Sequence, residues 1–104
     1  MEYGEQANGR QIEAKVNQEF EIDLPEARTA GYRWTIVRKG EPVLQLLEDT
    51  SQQNAPGVGG AGVHQWRFGA VAAGTAEIKA QYARSWEKES EPARTFTLKV
   101  RVAA

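Results

Sequence analysis

The sequence contains no cysteine. No disulfide can staple the fold, no thiolate can act as a nucleophile, and the redox compartment is left open. There is a single histidine, His64. One histidine without any cysteine leaves almost no room for a nucleophile–base pair or a histidine-rich metal site. No apolar run approaches the roughly 20 residues of a membrane-spanning helix, so no membrane association is expected. Nor is there a charge excess, since 13 Lys and Arg against 14 Asp and Glu leave a net charge of −1. Nucleic acid needs a clustered basic surface, so it is not an expected partner. The opening "MEYGEQANGR" lacks a basic segment followed by an apolar one, and no signal peptide is expected in this chain. A periplasmic or secreted location would follow if one had been trimmed, and a cytoplasmic one otherwise.

Helical periodicity is missing too. No stretch of a dozen residues shows a 3.6-residue repeat with caps, whereas a period of two recurs throughout. Phe20, Ile22 and Leu24 alternate with acidic residues in "EFEIDL". Trp66 and Phe68 share a face in "HQWRF", and Ala76, Ile78, Ala80 and Tyr82 do so in "TAEIKAQYA". Phe96, Leu98, Val100 and Val102 alternate with polar residues in "RTFTLKVRV", and Ile12, Ala14 and Val16 are in phase near the start. "YRWTIV", Tyr32 to Val37, has the aromatic and β-branched character of a strand. Val43 to Glu48 reads as a shorter strand or a helical turn. With 40% hydrophobic and 26% charged residues in 104, this is one soluble domain spanning residues 1–104, expected to be monomeric when free. About seven short strands punctuated by Gly and Pro predict an all-β, immunoglobulin-like antiparallel β-sandwich.

Gly57, Gly59 and Gly62 in "NAPGVGGAGVHQW" satisfy the pattern G-x-G-x-x-G. A dinucleotide site needs a helix to open directly after the glycines, with its free N–H groups on the pyrophosphate. Here a strand follows. The dinucleotide reading fails on context and no cofactor is expected. What remains is a long, side-chain-poor connection, and long connections are usually functional or disordered.

Alternate connections of a sandwich emerge at one end. Three therefore share a pole: Pro25 to Tyr32, Asn54 to Gly62, and Ala83 to Arg94. Gly31 is expected to supply a left-handed turn in the first. The glycines of the second let a partner approach the backbone. The third carries Arg84 and Trp86, residue types enriched at binding hot spots. Trp34 and Trp66 fall within strands and are expected in the core, whereas Trp86 precedes "EKESEPAR" and is expected to be exposed. His64 is expected to be a strand residue with one hydrogen bond. Glu87, Glu89 and Glu91 lack calcium-loop spacing, the run from Glu87 to Arg94 reads as solvated, and no metal is expected. The domain reads as a binding module, not an enzyme.

These three connections, in order, resemble those of the chagasin-like inhibitors of papain-family cysteine peptidases. The family pattern has an Asn-Pro-Thr-Thr-Gly-aromatic loop, a Gly-x-Gly-Gly loop and an Arg-Pro-Trp loop. This chain has "ARTAGY" (Ala27 to Tyr32) after "IDLP", "GVGG" (Gly57 to Gly60), and "RSW" (Arg84 to Trp86) after "AAGTAEIKAQYA". The likeness runs from about Gln11 to Val102. It implies a reversible inhibitor whose three loops fill the cleft of a papain-like peptidase. The implied contact residues are Arg28, Thr29, Ala30, Gly31 and Tyr32, then Gly57, Val58, Gly59 and Gly60, and finally Arg84, Ser85 and Trp86. Thr29 would sit nearest the enzyme's catalytic Cys–His pair, Gly31 would hold the turn, and Tyr32 would anchor it. The glycine loop would pair its backbone along the substrate cleft. Ala27-Arg28 in place of Asn-Pro, Ala30 in place of Thr, and Ser85 in place of Pro each remove a conformational constraint worth about 0.4–1 kcal/mol, so reduced or shifted affinity is expected. Two other readings fit the same residues: an immunoglobulin-like adhesion or carbohydrate-binding module with Trp86 stacking on its ligand, and a homologue that keeps the scaffold and has lost inhibition.

Overall fold

A computed structural model of the chain describes residues 2–27, 31–52, 62–84 and 92–104. Eight strands follow in order: β1 (Glu2–Tyr3), β2 (Arg10–Lys15), β3 (Glu19–Glu26), β4 (Tyr32–Lys39), β5 (Leu44–Gln52), β6 (Gly62–Ala70), β7 (Gly74–Arg84) and β8 (Arg94–Ala103). One 3-10 turn, Glu5–Ala7, separates the first two. All seven expected strands are present. The eighth, β1, is only two residues long and has no alternation to reveal it. The segment after Val43 is a strand rather than a helical turn, extending to Gln52. Among the described residues no helix is long and apolar enough to cross a membrane.

The strands form two four-stranded sheets, β1-β3-β6-β5 and β2-β8-β7-β4. Most pairings are antiparallel, as expected, but β1 runs parallel to β3 and β2 parallel to β8. Both parallel pairs lie at the sheet edge where the chain enters. The inward alternation of one sheet packs on that of the other. Phe20, Ile22, Leu24, Trp66, Phe68 and Leu44 face Trp34, Ile78, Ala80, Tyr82, Phe96, Leu98 and Val100, all buried. Burying each Leu, Ile or Phe contributes roughly 1.5–3 kcal/mol, so this layer holds the sheets together. Two bulges interrupt the regularity, between Ile36 and Arg38 in β4 and between Leu46 and Glu48 in β5. Each turns one apolar residue to solvent, Val37 and Leu47.

Candidate functional site

The strand ends that flank the three motifs gather at one end of the sandwich. In the first sheet Glu26 is in register with Gly62, and Gln52 with Val63. In the second sheet Tyr32 is in register with Arg84, and Tyr82 with Arg94. Of the residues implied by the motifs, Gly31, Tyr32 and Arg84 are described. Arg28, Thr29, Ala30, Gly57, Val58, Gly59, Gly60, Ser85 and Trp86 lie outside the described residues, as do Glu87, Glu89 and Glu91.

Gly31 adopts φ +86°, the left-handed conformation expected of it. Tyr32, next in the chain, is half-buried. Its ring stacks on Tyr82 with centroids 5.0 Å apart, and the Arg84 guanidinium lies over it, 4.7 Å from its centroid. Tyr82 continues the column to Trp34 at 4.8 Å. Trp34 meets Trp66 edge-on at 6.3 Å, and Trp66 stacks on His64 at 4.4 Å. A chain of rings therefore crosses from the second sheet to the first directly beneath the motifs. Such pairs add about 0.5–1.5 kcal/mol each beyond their buried area.

Hydrogen bonds fasten the foot of the first motif to the opposite sheet. The Ala27 amide donates to the Tyr82 hydroxyl at 2.8 Å, and the Trp34 indole N–H donates to the Pro25 carbonyl at 2.8 Å. The Tyr32 amide donates to the Ala27 carbonyl at 3.2 Å, closing the segment on itself. Both feet of this motif are thus tied to the aromatic column.

The first sheet presents a different chemistry at the same level. Glu26 continues the inward phase of Phe20, Ile22 and Leu24, and it is 1% exposed, the one buried charged residue among the described residues. Its carboxylate accepts the Trp34 amide at 2.8 Å, the Ser51 hydroxyl at 2.5 Å and His64 Nδ1 at 2.8 Å. Strand β4 is an edge strand, so Glu26 caps an amide that has no ladder partner. Burial pushes the Glu26 carboxyl up, but Ser51, the Trp34 amide and His64 outweigh it and hold it below its ordinary value. His64 Nε2 in turn meets Asp49 Oδ1. His64 therefore has two ring contacts where one was expected.

Sequence reasoning passed over Glu26, Asp49, Ser51 and Tyr82. A signal for two of them was present: Glu26 and Tyr82 fall on the apolar phase of their strands, next to the motifs, as His64 does on its own. Asp49 and Ser51 gave no such signal, because the bulge at Leu47 reverses the phase of β5. Beyond it Asp49 is opposite Trp66 and Ser51 opposite His64.

A cluster of Glu2, Glu21 and Asp23 lies on the outer face of the first sheet, with carboxylate oxygens within 4.8 Å of one another. Burial and the neighbouring carboxylates push the Glu21 carboxyl up. Burial chiefly does the same to Asp23. Exposed acidic clusters of this kind need no ion.

The profile of the chagasin family peptidase inhibitor I42 matches residues 13–100. The chain belongs to the chagasin family of peptidase inhibitors. Three solved structures share the chagasin fold seen here. The cysteine protease inhibitor EhICP2 from Entamoeba histolytica is 25% identical, with TM-score 0.83 over 98% of this chain and 93% of its own. Amebosin is 32% identical, with TM-score 0.74 over 99% and 97%. PbICP-C, solved in complex with falcipain-2, is 17% identical, with TM-score 0.65 over 99% and 90%, a likeness of fold. No curated protein matches the chain. The chagasin family is one of cysteine protease inhibitors, not enzymes, and EhICP2 is such an inhibitor.

Proposed function

We propose that the protein is a reversible inhibitor of papain-like cysteine peptidases that occludes the active-site cleft with three segments from one end of the sandwich. The observation that carries this reading is the register of the strand ends. Glu26, Gly62 and Gln52 in one sheet, and Tyr32, Arg84 and Arg94 in the other, bring the feet of all three motifs to one end of a rigid body. The first segment contributes Arg28, Thr29, Ala30, Gly31 and Tyr32. The second contributes Gly57, Val58, Gly59 and Gly60, and the third Arg84, Ser85 and Trp86. Family membership supports the assignment of a peptidase as partner, and the complex of PbICP-C with falcipain-2 supports a papain-like one.

The physical advantage lies in preorganisation. Strand feet fixed by the aromatic column and by Glu26 lower the ordering cost of association, so binding needs no covalent step. The glycines can bring main-chain groups against a cleft built to pair with an extended peptide. Titration against active papain, followed by hydrolysis of a small fluorogenic substrate, tests the proposal. Competitive inhibition at nanomolar to micromolar concentration is expected. Trp86→Ala should cost about 2 kcal/mol, roughly thirtyfold in affinity, with the thermal midpoint unchanged. No inhibition at tens of micromolar would reject papain as a target class. A drop in midpoint matching the loss of affinity would reject Trp86 as a contact.

A further inference from the structure

The network around His64 has more acceptors than a neutral imidazole can satisfy. A neutral ring offers one N–H donor and one lone-pair acceptor. Here both nitrogens meet carboxylate oxygens, Nδ1 that of Glu26 at 2.8 Å and Nε2 that of Asp49. Both contacts are attractive only when the site holds one proton more than a neutral ring between two carboxylates. Glu26 is an unsuitable holder of that proton, because the Trp34 amide and the Ser51 hydroxyl already donate to it. The ring itself is held in place, stacked on Trp66, with its side chain 11% exposed. Among the described residues the ionisable groups touching it are Glu26 from β3 and Asp49 from β5. Leu24 opposite it on β3, Ser51 opposite it on β5 and Trp66 on its own strand are neutral at all relevant pH.

The location gives this network its meaning. Glu26 ends β3, two residues before Arg28. Asp49 and Ser51 lie in the last stretch of β5 before the glycine segment, and His64 lies two residues after that segment rejoins the sheet at Gly62. We propose that His64 is a positioning residue of the inhibitor, which in its charged form clamps the foot of the first binding segment to both feet of the glycine segment, so that inhibition is strongest in mildly acidic solution. The proposal rests on the wedge reading of the three segments. Loss of the proton turns one ring nitrogen into a lone pair facing a carboxylate. Asp49, with its side chain 43% exposed, is the partner that can leave for water, whereas Glu26 cannot. The end of β5 is then released while the first segment stays held.

Because His64 is the only histidine, its ring signals in a nitrogen–proton NMR spectrum are unambiguous. In the free protein both ring nitrogens should carry protons at pH 5.5. Loss of one as pH rises toward 8 should shift the amides of Gln52 and Gly62. A ring with a single proton across that range would overturn the proposal. The second readout is the inhibition constant for papain of wild type, His64→Gln and Asp49→Asn at each pH, taken as a ratio so that the enzyme's own pH dependence cancels. Each variant should be about tenfold weaker than wild type at pH 5.5, the scale of one charge-assisted hydrogen bond, and nearly equal to it at pH 8. A ratio constant with pH would reduce His64 to an ordinary packing residue. Should wild type fail to inhibit papain at every pH, the wedge reading falls alone and the thermal midpoint of the free protein decides the clamp. A gap between wild type and His64→Gln that closes from pH 5.5 to pH 8 supports it, and a constant gap overturns it.

Discussion

The two sheets brace the same end of the sandwich with different chemistry. In the second sheet the bracing is aromatic: Tyr32, Tyr82 and Trp34 stack in a column capped by Arg84. In the first it is ionic: Glu26 gathers Trp34, Ser51 and His64, and His64 reaches on to Asp49. The aromatic half gains from area and ring geometry, which salt and pH hardly alter. The ionic half depends on the protonation of at least two groups. Further from the motifs this contrast disappears, since the inward positions of both sheets are uniformly apolar, with Phe20, Ile22 and Phe68 opposite Leu98 and Val100. Among the described residues a charged side chain is buried only at Glu26, beside the three connections, and directional bonds there fix positions that apolar packing alone would leave loosely specified.

The largest effect should come from removing the hub of the ionic half. Glu26→Leu would leave the Trp34 amide, the Ser51 hydroxyl and His64 Nδ1 without their partner inside the protein. Leaving a buried donor unsatisfied costs about 1–3 kcal/mol, and with more than one donor affected the loss should appear directly in urea unfolding at neutral pH. A loss below about 1 kcal/mol would mean that the aromatic half braces this end unaided.

Next in size is the hydroxyl that joins the two halves. Tyr82→Phe keeps the ring stack with Tyr32 and Trp34 and removes only the acceptor of the Ala27 amide. Stability should fall by about 1 kcal/mol, and the Ala27 amide should exchange with solvent markedly faster. Unchanged exchange at Ala27 would show that the stack, and not the hydroxyl, holds the first segment.

How much of this could be read beforehand follows from the same contrast. Wherever alternation is apolar and uninterrupted, as in Phe20–Leu24 or Phe96–Val102, it announced both the strand and the face it buries. The site's aromatic half was legible in part, because Gly31 and Tyr32 belong to a recognisable motif. The ionic half was not. Its members sit on three different strands, and their association depends on pairing register, which no local pattern encodes. The bulge in β5 hid two of them by shifting the phase after Leu46, so that Asp49 and Ser51 appeared to belong with the outward residues. The parallel pairing of β2 with β8 escaped for the same reason, since two distant strands with similar alternation can pair in either direction.

The smallest effect, and the finest test of the ionic half, concerns Ser51. Its hydroxyl is first among the groups that lower the Glu26 carboxyl. A carboxyl held below its unfolded value contributes stability that is present above the unfolded value and is lost as pH falls through the folded one. Ser51→Ala removes one of the donors while Trp34 and His64 remain, so the folded value should move back upward. Unfolding at pH 7 should therefore show a loss of about 1 kcal/mol or less. The gap from wild type should narrow as the solution is acidified and Glu26 takes up its proton in both proteins. If the gap instead persists unchanged to pH 3, Ser51 acts through packing alone, and the depression of Glu26 must come from the Trp34 amide and His64.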